Sequence, residues 1–242
     1  MTATREAIAP TESGDVVLDV RDLRVLFDTR RGRARAVDGV NLSLRAGETL
    51  GLVGESGCGK TVTALSLMRS VPSPGRIDGG SVIFEGRDLL TMPEAQVARL
   101  RGRRLALIPQ DPLTALNPVM TVGDHLTEVL NVHLGIRGDA ATSRAADLMA
   151  RVGIPEPRRR LDSYPHQLSG GMRQRVMIAL AIACQPAILI ADEPTTALDA
   201  TVQAQILELL DELKRETGMS LLLITHNLGI VAGHCDRVAV MY

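Results

Sequence analysis

Runs of apolar residues and the spacing between them divide the chain into strands and helices. Residues 16–27 and 37–44 predict two strands, joined by a turn that carries Asp28, Gly32 and four arginines, Arg30, Arg31, Arg33 and Arg35. Residues 49–53 form a short apolar strand running into a glycine-rich turn, after which 60–68 reads as a helix. A strand at 81–84, a turn at Gly86, a helix over 93–101 and a short buried strand at 105–108 follow. The pattern then changes. Asp111 with Pro112 and Asn117 with Pro118 break the chain, 122–134 and 143–152 look amphipathic and helical, and no clear strand intervenes. The stretch 111–171 is therefore predicted as an inserted helical subdomain, with 16–110 and 172–242 as the core. In the later half, helices over 172–184, 202–217 and 228–234 alternate with strands at 188–191, 220–224 and 237–241. Those strands are apolar throughout rather than at every second position. That is the pattern of an α/β fold whose mostly parallel sheet is buried on both faces.

Composition narrows the partners. Of 242 residues, 45% are hydrophobic and 23% charged, which excludes a chain disordered throughout. A net charge of −1 and 2% aromatics argue against a nucleic-acid partner, so the arginines at 30–35 and Arg158, Arg159 and Arg160 read as solvated turns. Cys58, Cys184 and Cys235 fit neither a disulfide framework nor a zinc spacing. The longest apolar run, 176–184, is far short of the ~20 residues that cross a bilayer. Residues 1–15 lack the apolar stretch of a secretory signal and are predicted as a mobile tail. The expectation is a soluble cytosolic chain that meets a membrane only through a partner.

Three segments carry candidate chemistry. Gly54, Glu55, Ser56, Gly57, Cys58, Gly59, Lys60 and Thr61 fit the spacing G-x-x-x-x-G-K-[ST] of a phosphate-binding P-loop, between a buried strand and a helix as that motif requires. The glycines let the backbone curl until successive N–H groups point inward, toward the positive end of the helix that follows. Lys60 is expected to reach the β- and γ-phosphates and the Thr61 hydroxyl to ligate Mg²⁺. Asp192 and Glu193 close the strand at 188–191, where open α/β sheets place their ligands. Two adjacent carboxylates facing phosphates need a divalent cation between them. Asp192 is assigned to Mg²⁺ and Glu193 to polarising the water that attacks the γ-phosphate. Finally, Leu168, Ser169, Gly170 and Gly171 open an apolar helix. Ser169 is a natural N-cap and the glycines leave the first N–H groups unobstructed, so this start can hold an anion or can simply be a capped core helix. One P-loop lysine and two anion-binding helix starts imply either two sites or one site completed by a second chain.

These segments, together with Gln110 after a short strand, Thr196 to Asp199 and His226, occur in the order seen in ATP-binding cassette (ABC) transporter ATPases, and the resemblance spans 16–242. It implies a P-loop NTPase fold with an N-terminal antiparallel β subdomain. It further implies a head-to-tail dimer that sandwiches ATP between the P-loop of one subunit and Ser169, Gly170 and Gly171 of the other. Gln110 resembles the glutamine that touches Mg²⁺ or the attacking water and senses the membrane partner. Asp199 resembles the aspartate that crosses the dimer interface, and His226 the histidine that contacts the γ-phosphate. Phe27 resembles the aromatic that stacks on adenine, and reads equally as a strand-end core residue.

Within that family, Tyr164-Pro165-His166 and the run 170–175 look most like the first ATPase subunit of oligopeptide, dipeptide and nickel importers. The implied partners are a second ATPase subunit, a paralogue, and two transmembrane permeases, with an extracytoplasmic solute-binding protein acting indirectly. The implied location is peripheral, on the cytoplasmic face of the membrane. Asn227 departs from the usual aspartate after the histidine, and a C-terminal extension of the family type is expected beyond Tyr242. Competing readings are a non-transport relative in DNA repair or translation and a small-molecule P-loop kinase, which would leave Ser169, Gly170 and His226 without a task.

Overall fold

The computed structural model describes residues 5–6, 15–29 and 32–242. Most of the predicted tail 1–15, and Arg30 and Arg31 of the predicted arginine-rich turn, lie outside the described residues. The elements run β1 (Arg5–Glu6), β2 (Val16–Thr29), β3 (Gly32–Arg45), β4 (Thr49–Gly54), α1 (Lys60–Leu67), β5 (Gly75–Phe84) and β6 (Arg87–Asp88). Next come α2 (Glu94–Leu100), β7 (Leu105–Ile108), α3 (Pro112–Ala115), α4 (Val122–Leu134), α5 (Gly138–Arg151) and α6 (Pro157–Arg160). A 3₁₀ turn (Pro165–Gln167) precedes α7 (Gly170–Ile182) and β8 (Ile188–Asp192). They are followed by α8 (Ala200–Thr217), β9 (Ser220–Thr225), α9 (Leu228–His234) and β10 (Arg237–Met241). Two compact units result, Met1–Arg101 with Gly218–Tyr242, and Gly102–Thr217.

The first unit holds two kinds of sheet. In one, β2 pairs antiparallel with β3 and β5, and β6 extends the edge beyond β5. Leu18, Val20, Leu42 and Leu44 are buried while Arg21 and Asn41 face solvent, so this sheet has one dry face and one wet face. The strand predicted at 81–84 begins at Gly75 instead. Its first five residues contain a single apolar side chain, Ile77, and are held by pairing Gly75, Arg76 and Ile77 with Phe27, Leu26 and Val25. In the other sheet β10, β4 and β9 run parallel, with β1 antiparallel on β10. Residues 49–53 and 220–225 are buried without exception, which is why their sequence shows no alternation.

A buried ion pair closes the amino-terminal end of this parallel sheet. Arg237 Nη1 donates to Glu48 Oε1 and Oε2 at 2.9 and 3.2 Å, and both residues are under a tenth exposed. The Arg45 N–H donates to the same carboxylate, which helps offset its desolvation. Polar side chains thus tie the strand starts together, and the carboxyl ends are left for binding.

In the second unit, β7 and β8 run parallel, with Ile108 opposite Ala191. Between 111 and 171 the described elements are helices and one 3₁₀ turn. Thr121 and Asp124 form a capping box at the start of α4, and the two hydrogen bonds from Thr121 hold the Asp124 carboxyl below its ordinary range. α5 starts at Gly138 rather than 143, because the small and polar residues 138–142 extend the helix without an apolar repeat to announce it. No helix among the described residues is long and apolar enough to cross a membrane.

Candidate functional site

The glycine-rich turn leaves β4 at Gly54 and enters α1 at Lys60. Gly57 and Gly59 take φ of +86° and +98°, conformations that side-chain-bearing residues resist. A Cβ at Gly59 would also run into the Ala36 carbonyl of β3. Gly59 is the N-cap of α1 and supplies no side-chain cap, so nothing but backbone stands at the helix start. The Lys60 ammonium is folded into this curl, donating to the Gly54 and Glu55 carbonyls at 2.8 Å each, and is 5% exposed. Cys58 Sγ lies 3.8 Å from it. Glu55, Ser56 and Thr61 are exposed. The loop is a ring of backbone dipoles around one buried cation, open to an anion.

Strand pairing brings His226 to the same edge. Val53 lies opposite Thr225 across the parallel pair β4–β9, so Gly54 and His226 both begin where that pair ends. The sequence departure at Asn227 has a local use. Its side-chain oxygen accepts from Gly229 N at 2.9 Å and caps α9. Phe27 lies opposite Ala34, two residues before the Ala36 carbonyl that abuts the loop, and its half-buried ring packs over Gly75. The Phe27 ring and Val71 Cγ1 occupy the space that a side chain at position 75 would need.

In the second unit, parallel register performs the corresponding service. Ile108 opposite Ala191 places Gln110 and Glu193 each two residues past the pair. Gln110 Nε2 donates to Glu193 Oε2 at 3.0 Å, and the Thr196 hydroxyl donates to the same oxygen at 2.9 Å. Glu193 has φ +46°, a strained turn that swings its side chain off the strand direction, whereas Asp192 is the last residue of β8 and 3% exposed. In the sequence Thr196 has only a place in the segment 196–199 and no role of its own. Its one signal was position, three residues after the glutamate.

The start of α7 is also in this unit. Ser169 Oγ accepts from Met172 N at 3.3 Å as the N-cap, and the helix begins at Gly170, two residues ahead of its predicted start. A Cβ at Gly171 would lie 2.7 Å from Val202 Cγ1, so the glycine permits α7 to pack closely on the start of α8. Asp199 Oδ1 accepts from Val202 N at 2.9 Å, which makes it a cap of α8. Ser169, Gly170, Gly171 and Asp199 are thereby gathered at neighbouring helix starts.

Comparison with known proteins gives the same family from three directions. The ABC transporter family matches residues 37–196. The oligopeptide transport ATP-binding protein OppD of Salmonella typhimurium is 52% identical over 242 residues, all of this chain and 72% of that protein. OppD of Escherichia coli is 53% identical over 231 residues, 96% of this chain and 68% of that one. Among solved structures, the dimeric ATP-binding cassette MJ0796 in a post-hydrolysis state bound to ADP and Pi aligns with TM-score 0.82 at 25% identity. That alignment covers 93% of this chain and 94% of the cassette. With its phosphate-binding loop, its glutamate-bearing strand end and two thirds of its length matched to one family, this chain belongs to the ABC transporters.

Proposed function

We propose that this chain is the ATP-hydrolysing subunit of an ABC importer, coupling ATP binding and hydrolysis to the uptake of peptides or a related small solute. The observation that carries this reading is its 52% identity, without a gap in coverage of its 242 residues, to an oligopeptide transport ATP-binding protein. The two units carry complementary chemistry, a phosphate cradle in one and carboxylates in the other.

The backbone of 54–61 and the uncapped start of α1 receive the phosphates. Lys60 exchanges two neutral carbonyl acceptors for charged phosphate oxygens, a stronger hydrogen bond in each case. The Asp192 carboxylate, the exposed Thr61 hydroxyl and the Gln110 amide oxygen are each a hard oxygen donor of the kind Mg²⁺ takes, so their chemistry fits that ion. When bound, Mg²⁺ would neutralise phosphate charge. Glu193, oriented by Gln110 and Thr196, polarises the attacking water, and His226 contacts the γ-phosphate. Phe27 stacks on adenine.

Ser169, Gly170, Gly171 and Asp199, with 111–171 as the helical subdomain behind them, serve the ATP held by a second ATPase subunit, a paralogue. The assembly includes two transmembrane permeases and acts with an extracytoplasmic solute-binding protein, the ATPases lying on the cytoplasmic face of the membrane. Reconstitution with the permeases tests this directly. Labelled-peptide uptake should require ATP and stop with Glu193→Gln, and uptake that continues unchanged with that variant would overturn the reading.

A further inference from the structure

Gly75 begins β5 at a place where the backbone does not require a glycine. Its φ lies outside the left-handed region, and a strand glycine gives up side-chain packing, so stability alone would favour a larger residue. What the glycine provides is room. A Cβ at position 75 would lie 2.7 Å from Phe27 Cε1, from Phe27 Cζ and from Val71 Cγ1, so the ring rests in the space of the missing side chain. Phe27 on β2 is paired with Gly75 on one side and with Ala34 of β3 on the other, the two smallest residue types. Backbone bonds hold this junction, with Gly75 N donating to the Pro72 carbonyl at 2.8 Å and Asp28 N to the Pro74 carbonyl at 3.4 Å. The ring is half-buried, so it leans on 71 and 75 and keeps part of its surface for another flat group. Ala36, two residues along β3 from Ala34, carries the carbonyl that abuts the phosphate-binding loop at Gly59. One strand therefore connects ring and cradle, both within the first unit.

We propose that Gly75 is a positioning residue for base recognition: by ceding its side-chain space to Phe27, it sets the height and tilt of the ring on which the base of ATP stacks. The proposal rests on the stacking role given to Phe27 above. A methyl at 75 drives the ring toward the space of the base. The atoms it meets are the outer edge of a side chain that turns on two torsions, so the ring moves and the strand keeps its place. The triphosphate, held by the loop, is unaffected. Gly75 thus governs how much the base adds to affinity, and with it the preference for ATP over a bare polyphosphate.

Titration of the chain with ATP and with inorganic tripolyphosphate, each with Mg²⁺, reads the contribution of the base as a ratio of two dissociation constants. Phe27→Ala should weaken ATP binding about tenfold, the worth of stacking one base on an aromatic ring, and leave tripolyphosphate unchanged. Gly75→Ala should weaken ATP binding roughly fivefold, again with tripolyphosphate unchanged. In the Phe27→Ala background Gly75→Ala should do nothing further, because the ring it would displace is gone. That background also makes room for the methyl, so the double variant should keep the thermal midpoint of Phe27→Ala. An ATP affinity unchanged by Phe27→Ala would overturn the stacking role itself. With that role intact, an ATP affinity unchanged by Gly75→Ala, an equal loss of both ligands, or a further loss of ATP affinity in the double variant would each overturn the assignment of Gly75.

Discussion

The two units solve the same problem, presenting chemistry beyond the carboxyl ends of parallel strands, by opposite means. At the end of β4 the active matter is backbone. Gly57 and Gly59 adopt positive φ, α1 carries no side-chain cap, and Lys60 bonds to two carbonyls. At the ends of β7 and β8 it is side chain. Gln110 and Thr196 converge on one oxygen of Glu193, and the helix starts nearby are capped by Ser169 and Asp199. A backbone cradle recognises a phosphate by shape and, Lys60 apart, tolerates changes of side chain. A carboxylate held by two donors performs a directed step and tolerates almost none. Substitution should therefore hurt at glycines in one region and at functional groups in the other.

The largest effect expected is that of Glu193→Gln. It keeps the shape and removes the charge, so turnover should fall by roughly 10²–10⁴-fold, the contribution typical of a positioned general base. Nucleotide affinity should be retained, because the cradle is in other residues. Phosphate release at saturating ATP, with affinity measured separately, checks both parts. Loss of affinity without loss of turnover would reverse the division of labour between the two regions.

Gly59→Ala attacks the other region where it is most sensitive. The added methyl meets the Ala36 carbonyl, and alanine must hold a φ of +98°. Strain of about 1–3 kcal/mol corresponds to a loss of roughly 10–100-fold in ATP affinity if the loop relaxes to relieve it. Fluorescent-nucleotide titration measures this. An unchanged affinity would mean that the curl is not what binds.

The same contrast explains which features the sequence discloses. Glycine is the only residue suited to the loop's backbone, so position and geometry are written together in 54–61. Wholly apolar strands likewise announce β4, β8 and β9 because burial on both faces removes alternation. By contrast, the bond between Gln110 and Glu193 joins residues 83 apart and depends on β7 and β8 being neighbours in one register, a tertiary fact. Glu48 and Arg237, 189 residues apart, are ordinary surface types whose burial no local pattern shows. The first half of β5 escapes notice for a third reason, since pairing with β2 rather than burial holds it.

A double-mutant cycle sharpens the side-chain half. Gln110→Ala and Thr196→Val each remove one donor to Glu193 Oε2, and each should slow hydrolysis about tenfold, near the lower end for one hydrogen bond to a charged group. Because both act on one oxygen, the pair should be non-additive by at least about 0.5 kcal/mol. Strict additivity of the two would show that the donors orient Glu193 independently, and the picture of a single jointly held carboxylate would have to be abandoned.

The smallest effect is the most discriminating. Glu55 is the first residue of the phosphate-binding loop after β4, yet what Lys60 uses there is its carbonyl. Its side chain is exposed, and a carboxylate at the mouth of an anion site repels the ligand weakly through screening water. Glu55→Ala keeps the carbonyl and deletes the repulsion. ATP affinity should rise by about twofold or stay level, with the gain shrinking as salt is added. Glu193→Gln and Glu55→Ala thus each remove one negative charge from the end of a parallel strand, with consequences that differ by orders of magnitude. A tenfold weakening with Glu55→Ala would show that the cradle depends on side chains after all, and the distinction between the two regions would dissolve.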